Sequence, residues 1–134
     1  MEKKEPMRIA LIADIHGNLV ALETVLQEVA RASVDQIICL GDVAALGPQP
    51  HEVVHRLSQL QCPVILGNTD AWLLAPKGAK TSDSEILSTI TSWCAAQLTP
   101  EDHQYVHAFP PLLEFPLDEG ESLCCYCMTF CPLL

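Results

Sequence analysis

Short apolar runs alternate along this chain with longer stretches of helical periodicity. The runs at 8–13, 36–40 and 63–66 predict three buried strands, because parallel strands covered on both faces are almost continuously hydrophobic. A helix of about 14 residues is predicted after Asn18, which is a suitable N-cap, and a second helix at 50–60. Strands that alternate with helices predict an α/β fold with a parallel sheet.

The second half of the chain predicts two more helices and a β-hairpin. These elements fall at 84–97, at 100–108, and at 112–117 paired with 122 onward. Thr99 is the expected N-cap of the second helix, with Pro100 in its first position. No repeat or linker divides the chain, so we expect a single domain after a disordered polar tail at 1–6.

Polar residues follow each predicted strand. They are Asp14 and His16 after the first strand, Asp42 after the second and Asn68 after the third. Ligands of open parallel sheets bind outside the carboxyl ends of the strands, so we expect these side chains to converge. Carboxylate, imidazole and amide groups bind divalent cations, and a carboxylate can bridge two of them. The sequence therefore predicts a metal site.

Each of these signals also has a simpler interpretation. An Asp after a strand is most often a helix cap or a turn residue, and an isolated Asn is most often a turn former. The combination favours metal binding because three successive strand ends carry it in order. Gly17, Gly41 and Gly67 lie beside the polar residues and allow sharp turns and close backbone approach.

The motifs at these strand ends resemble those of the calcineurin-like metallophosphoesterases. Within that family they are most similar to the branch of small bacterial and archaeal phosphodiesterases. They are D-I-H-G-N at 14–18, G-D at 41–42 with G-P at 47–48, and G-N-x-D at 67–70. The resemblance covers about residues 7–117 and implies the N-terminal half of an αββα sandwich. It also implies hydrolysis of a phosphate mono- or diester by a metal-activated water.

The resemblance also implies roles for individual residues. Asp14 and His16 would bind one metal ion, and Asp42 would bridge it to a second ion held by Asn68. The two divalent ions would be Mn, Fe, Zn, Co or Mg. The implied catalytic residues are Asp42, Asn68, Thr69 and Asp70.

Two features depart from the family pattern. Thr69 stands where many relatives have a histidine that helps the leaving group depart, and a hydroxyl is a poor proton donor at neutral pH. The two later histidine motifs are also missing. The other histidines form two pairs with a spacing of four, His51 with His55 and His103 with His107, which favours solvated helix faces over surface metal sites.

The charge and composition of the chain limit the kinds of partner that it could bind. Lys and Arg number 7 against 17 Asp and Glu, giving a net charge of −10. Such a chain has no cationic surface for nucleic acid, so a phosphate-ester substrate would be attracted locally by bound metal. No apolar run reaches the roughly 20 residues of a membrane span, and the run at 9–13 is too short for a signal peptide. We therefore expect a cytoplasmic protein with reduced core thiols at Cys39, Cys62 and Cys94.

The segment 124–134 holds four cysteines and differs from the rest of the chain. Cys124 and Cys127 have C-x-x-C spacing, but adjacent cysteines make a poor tetrahedral metal frame. The codons for the sequence C-C-Y-C-M-T, read from their third base, encode three leucines, then His or Tyr, then Asp. We therefore expect a truncated domain at 7–123 followed by a frameshifted tail.

Two alternatives to an active phosphoesterase stay open at this point. The first is a catalytically inactive fragment or interaction module with at most residual metal binding, which could form homo-oligomers through an exposed sheet edge. The second is a nucleotide-binding α/β domain. It is disfavoured because the first turn after a strand is not a glycine-rich phosphate-binding sequence.

Overall fold

A computed structural model of the chain describes residues 6–75, 85–117 and 120–126. Its elements are β1 (Ile9–Ile12), α1 (Leu19–Arg31), β2 (Gln36–Cys39), α2 (Pro50–Leu60), α3 (Asn68–Leu74), α4 (Glu85–Gln97), α5 (Pro100–His107), β3 (Leu112–Pro116) and β4 (Ser122–Tyr126). The predicted α/β class is confirmed. Three predictions concern residues outside the described part of the chain: the polar tail at 1–5, the turn at 118–119 and the cysteine-rich segment from 127 onward.

The first sheet is parallel, as the alternation of strands and helices predicted. β1 pairs with β2 in the register Ile9 to Gln36 through Ile12 to Cys39. Val64 forms a single parallel bridge to Cys39, so the third segment lies beside β2. The three segments thus run side by side in the same direction.

The two faces of this sheet contact different layers. On one face, Ile12, Cys39 and Val64 pack into a core with apolar residues of the helices, among them Leu22 of α1 and Leu57 of α2. On the other face, a second core joins the sheet to the antiparallel hairpin of β3 and β4; its buried members are Ile38, Ile65 and Cys125. The parallel sheet therefore lies between a helical layer and a second, two-stranded sheet.

The helix ends agree with the local sequence. The Asn18 side chain accepts the N–H of Ala21 at 3.0 Å at the start of α1. Thr99 and Asp102 form a reciprocal capping box at the start of α5, with Pro100 in its first position. The N-caps predicted at Asn18 and Thr99 are confirmed.

The third predicted strand, at 63–66, is wrong in extent. Pro63 has no N–H, so pairing with β2 is limited to the Pro63 carbonyl and the Ile65 N–H, both bonded to Cys39. The chain then enters α3, which the sequence analysis did not predict. Asp70 accepts the Gly67 N–H at 2.9 Å and so caps the start of this short helix.

Candidate metal centre

The carboxyl ends of β1 and β2 bring three of the predicted ligands together. One ligand atom each from Asp14, His16 and Asp42 lies within 4.8 Å of the others, and Nε2 of His16 is 3.5 Å from Oδ1 of Asp14. Asn68, the fourth predicted ligand, is half-buried at the first position of α3, next to Thr69. We call Asp14, His16 and Asp42 the ligand cluster.

All three residues of the ligand cluster have left-handed backbone conformations. Their φ angles are 55° at Asp14, 47° at His16 and 56° at Asp42. Such angles are uncommon outside glycine and, in folded proteins, concentrate at functional sites. The two loops hold each other in this arrangement, because the N–H of Asp14 donates to the Gly41 carbonyl and that of His16 to the Asp42 carbonyl, at 3.3 and 3.0 Å.

The imidazole of His16 is oriented by a backbone carbonyl. Its Nδ1 lies 3.1 Å from the carbonyl oxygen of Ala45. A carbonyl only accepts, so Nδ1 donates its proton in this contact, and Nε2 is the ring nitrogen that faces Asp14. A Cβ at Gly47 would overlap the His16 carbonyl, so this loop needs glycine there. Because Nδ1 is engaged by Ala45, Nε2 is the nitrogen of His16 that could bind a cation.

The carboxylate of Asp42 is held by the following helix. Its Oδ1 accepts the backbone N–H of Thr69 at 3.0 Å and the Thr69 hydroxyl at 2.7 Å. The side chain also abuts Gly67, where an added Cβ would overlap Oδ1. The third strand end thus determines where the Asp42 carboxylate points.

Asp70 ties the second and third loops together. It is fully buried and accepts three backbone N–H groups, from Asp42 and Val43 at 2.8 Å and from Gly67 at 2.9 Å. Burial raises the pKa of the Asp70 carboxyl above its ordinary value, against the opposing effect of these hydrogen bonds. Both oxygens of Asp70 are engaged by the backbone, an arrangement that positions Asp42.

The donor set of the ligand cluster fits a divalent cation. Two carboxylates and a neutral imidazole are ligands for Mn, Fe, Zn and Co, and the carboxylates also suit Mg. The second nitrogen of His16 is bonded to a carbonyl, as is usual for metal-binding histidines. The residues present thus fit the metal ions that the family resemblance implies.

The remaining histidines belong to the helices. His55 and His107 are exposed, as predicted for solvated helix faces. Nδ1 of His51 instead lies 2.7 Å from Asp102 Oδ2, and Nε2 of His103 lies 3.0 Å from the Ala95 carbonyl. Within the part of the chain that the structure covers, the ligand cluster includes neither pair.

The sequence analysis named Thr69 and Asp70 as site residues but did not predict their bonds to Asp42, and it missed the Ala45 carbonyl beside His16. The Ala45 carbonyl and the bond from Thr69 to Asp42 join residues on different loops, so no local pattern reveals them. The spacing of Gly67 and Asp70 matches a helix N-cap and its third helical position, and it could have indicated the start of α3.

The comparisons with known proteins agree with this geometry. The family model for the calcineurin-like phosphoesterases matches residues 7–126. The chain therefore belongs to the calcineurin-like phosphoesterase family, which confirms the resemblance found in its motifs. Among the residues that could be described, no helix has the length and apolar character needed to cross a membrane.

Three relatives illustrate the similarity. An uncharacterized protein of Methanocaldococcus jannaschii is 30% identical over 106 residues, covering 79% of this chain and 43% of that protein. Phosphodiesterase YfcE of Escherichia coli is 35% identical over 75 residues, covering 48% and 41%. The crystal structure of a metallophosphoesterase from Sphaerobacter thermophilus superimposes with a TM-score of 0.65 at 34% identity, covering 81% and 44%. The chain thus spans less than half the length of each.

Proposed function

We propose that this chain carries the ligand-bearing part of a metal-dependent phosphoesterase site, which hydrolyses a small-molecule phosphodiester or phosphomonoester. The observation that carries the proposal is the ligand cluster, whose three ligand atoms lie within 4.8 Å of one another. Family membership and the similarity to a phosphodiesterase support the same reaction class.

In this proposal the ligands divide between two sites. Asp14 and His16 would hold one divalent ion, Asn68 would supply an amide oxygen to a second, and Asp42 would serve as a ligand to both. Bound divalent ions would neutralise phosphoryl charge and lower the pKa of a water molecule. They would also attract an anionic substrate to a chain whose net charge is −10.

Asp42, Asn68, Thr69 and Asp70 have distinct tasks in this proposal. Asp42 and Asn68 would act as metal ligands. Asp70 orients the backbone of Asp42 through its N–H, and Thr69 orients the Asp42 carboxylate. The predicted catalytic group therefore divides into two ligands and two residues that support them.

A second candidate function is a catalytically inactive module that binds metal weakly and associates with a second copy of itself. The sequence favours this candidate because it contains neither of the two later histidine motifs that the family resemblance implies. Both candidates are proposed to act in the cytoplasm, which fractionation of cells producing a tagged chain would test.

We propose the free side of β1 as the surface for self-association. The backbone carbonyls of Arg8 and Ile12 accept hydrogen bonds from the β2 side. Because successive residues of a strand alternate in direction, the backbone N–H and carbonyl of Leu11 point to the opposite side. The Leu11 side chain is 52% exposed beside a groove of about 370 Å³ between β1 and α1. If two β1 strands pair in antiparallel fashion with Leu11 opposite Leu11, Arg8 of one copy lies opposite Asp14 of the other. This arrangement places opposite charges together.

Metal binding and hydrolysis test the proposed function directly. We expect Mn²⁺ to bind in calorimetric titration and to support hydrolysis of bis(p-nitrophenyl) phosphate. Losing a residue that only hydrogen-bonds to a metal ligand typically weakens metal binding about 10–100-fold. Asp42→Asn changes a ligand itself, so it should weaken Mn²⁺ binding by that much or more and reduce hydrolysis in parallel.

Asp35→Asn is the matched control, since it removes the same charge from an exposed residue just before β2. It should leave both properties unchanged. Hydrolysis that persists in Asp42→Asn would contradict the proposed site. Metal binding without hydrolysis in the wild-type chain would favour the inactive module.

A further inference from the structure

We propose that Thr69 is a positioning residue that fixes the Asp42 carboxylate for cation binding, and that it is not a proton donor to the leaving group. The inference rests on the proposed metal site and assigns the position at which many family members have a histidine. It is carried by two hydrogen bonds from one buried residue to one carboxylate oxygen.

The direction of the hydroxyl bond follows from elementary chemistry. An ionised carboxylate only accepts, so at 2.7 Å the Thr69 hydroxyl donates its single proton to Oδ1 of Asp42. Thr69 is only 5% exposed, which keeps water from replacing Asp42 as the acceptor. The proton that a leaving oxygen would need is therefore already engaged by Asp42.

A second hydrogen bond, from the backbone of Thr69, also fixes the orientation of the Asp42 carboxylate. The Thr69 N–H donates to the same Oδ1 at 3.0 Å, so the oxygen is held from two directions. Among residues 6–75, 85–117 and 120–126, no hydrogen bond reaches Oδ2 of Asp42. The carboxylate consequently has one oxygen restrained by Thr69 and one that keeps its acceptor capacity.

The main chain of Asp42 is restrained independently. Its N–H donates to Asp70, and its φ of 56° lies in the left-handed region. Removing the Thr69 hydroxyl would leave these restraints and the Thr69 N–H in place. Its effect should therefore be confined to the direction and basicity of the Asp42 carboxylate, and should be seen as altered metal binding.

The experiment compares Thr69→Val, which keeps the side-chain shape without the hydroxyl, with Thr69→Ser, which keeps the hydroxyl. Mn²⁺ affinity is measured by calorimetric titration, and the visible absorption spectrum of the Co²⁺-loaded chain reports the ligand geometry. Thr69→Val should bind Mn²⁺ about 10–100-fold more weakly and change the Co²⁺ spectrum. Thr69→Ser should restore both.

Thr91→Val is the matched control, because Thr91 is a buried threonine on α4 and its hydroxyl lies on a different element. It should leave the Mn²⁺ affinity unchanged. If Thr69→Val does not fold by circular dichroism, Thr69→Ala provides the same loss of the hydroxyl with less bulk.

Aryl phosphodiesters with leaving groups of increasing pKa separate the two roles of Thr69. A positioning role predicts that Thr69→Val lowers kcat/KM by the same factor for every ester. The inference would be overturned if Thr69→Val kept its Mn²⁺ affinity and its loss of kcat/KM grew as the leaving group became poorer. That dependence is the signature of a missing proton donor. No Mn²⁺ binding by the wild-type chain would instead overturn the proposed function itself.

Discussion

At the scale of single residues, the ligand cluster depends on backbone conformations that most side chains avoid. Asp14, His16 and Asp42 each have a positive φ, a conformation that costs of order 1–3 kcal/mol. Backbone bonds between the two loops oppose that cost at Asp14 and His16, and the bond to Asp70 does so at Asp42. Strain of this kind is retained where geometry matters more than stability, which fits a preorganised cation site.

Gly67→Ala tests how closely the second and third loops must approach. The new Cβ would overlap Oδ1 and the backbone nitrogen of Asp42, so we expect a loss of about 1–3 kcal/mol in the free energy of unfolding and much weaker Mn²⁺ binding. Urea denaturation and calorimetric titration measure the two effects.

Gly120→Ala is the control for this substitution. Gly120 also has a positive φ, but an added Cβ there meets no atom within 4 Å. It should cost only about 1 kcal/mol and leave Mn²⁺ binding intact. Equal effects of the two substitutions would mean that the close approach at Gly67 is unimportant.

At the scale of the elements, the helical layer contains a hydrogen-bonded ion pair between α2 and α5. Nδ1 of His51 lies 2.7 Å from Oδ2 of Asp102, and the same Asp102 oxygen accepts the N–H of Thr99 at the start of α5. Asp102 therefore both caps its own helix and anchors it to α2. This contact lies outside the ligand cluster, so it can be changed without altering a ligand.

The stability of this contact should depend on pH. The hydrogen bond to Asp102 raises the pKa of His51, so its contribution is complete below the ordinary histidine value of 6.5 and is lost as pH rises through the raised value. Burial alone raises the pKa of Asp102, but the hydrogen bonds from His51 and Thr99 outweigh it and keep that pKa low. The Asp102 contribution is complete above the ordinary value of 3.8 and is lost at more acid pH.

We therefore expect His51→Gln to destabilise the chain more at pH 5 than at pH 9. Urea denaturation of the wild type and the variant at both pH values measures the difference. His55→Gln removes an exposed imidazole one turn further along α2 and should show a smaller pH effect. An equal loss at both pH values in His51→Gln would contradict a charged pair.

The sequence predicted the elements with strong patterns and missed those fixed by tertiary contacts. α1, α2, α4 and α5 have clear apolar periodicity or caps, and β1 and β2 are continuous apolar runs. α3 spans only seven residues, too few for a period to appear. The approach of Asp14 and His16 to Asp42 followed from strand order, whereas the support from Thr69 and Asp70 required the three loops in position.

At the scale of the whole molecule, the described residues place a parallel sheet between two different layers. The helical layer covers one face of the parallel sheet and the β3–β4 hairpin covers part of the other. Among the residues that the structure describes, β1 pairs with β2 alone. An uncovered strand edge with an exposed leucine is a common site of association.

Leu11→Lys tests association through β1. Light scattering coupled to size-exclusion chromatography should show the wild-type chain shifting to dimers as concentration rises, and Leu11→Lys remaining monomeric. Val20→Lys is the matched control, since Val20 is also exposed but lies on α1. A wild-type chain that is monomeric at every concentration, or a dimer unaffected by Leu11→Lys, would contradict the proposed surface.

The contacts that fix the ligand cluster all arise within one short stretch of chain. The first ligand is Asp14, and the last supporting residue is Asp70. Proteins are synthesised from the N-terminus, and domains begin to fold as they emerge. Every residue of the ligand cluster, together with Thr69 and Asp70, is therefore synthesised before α4, α5 or the hairpin.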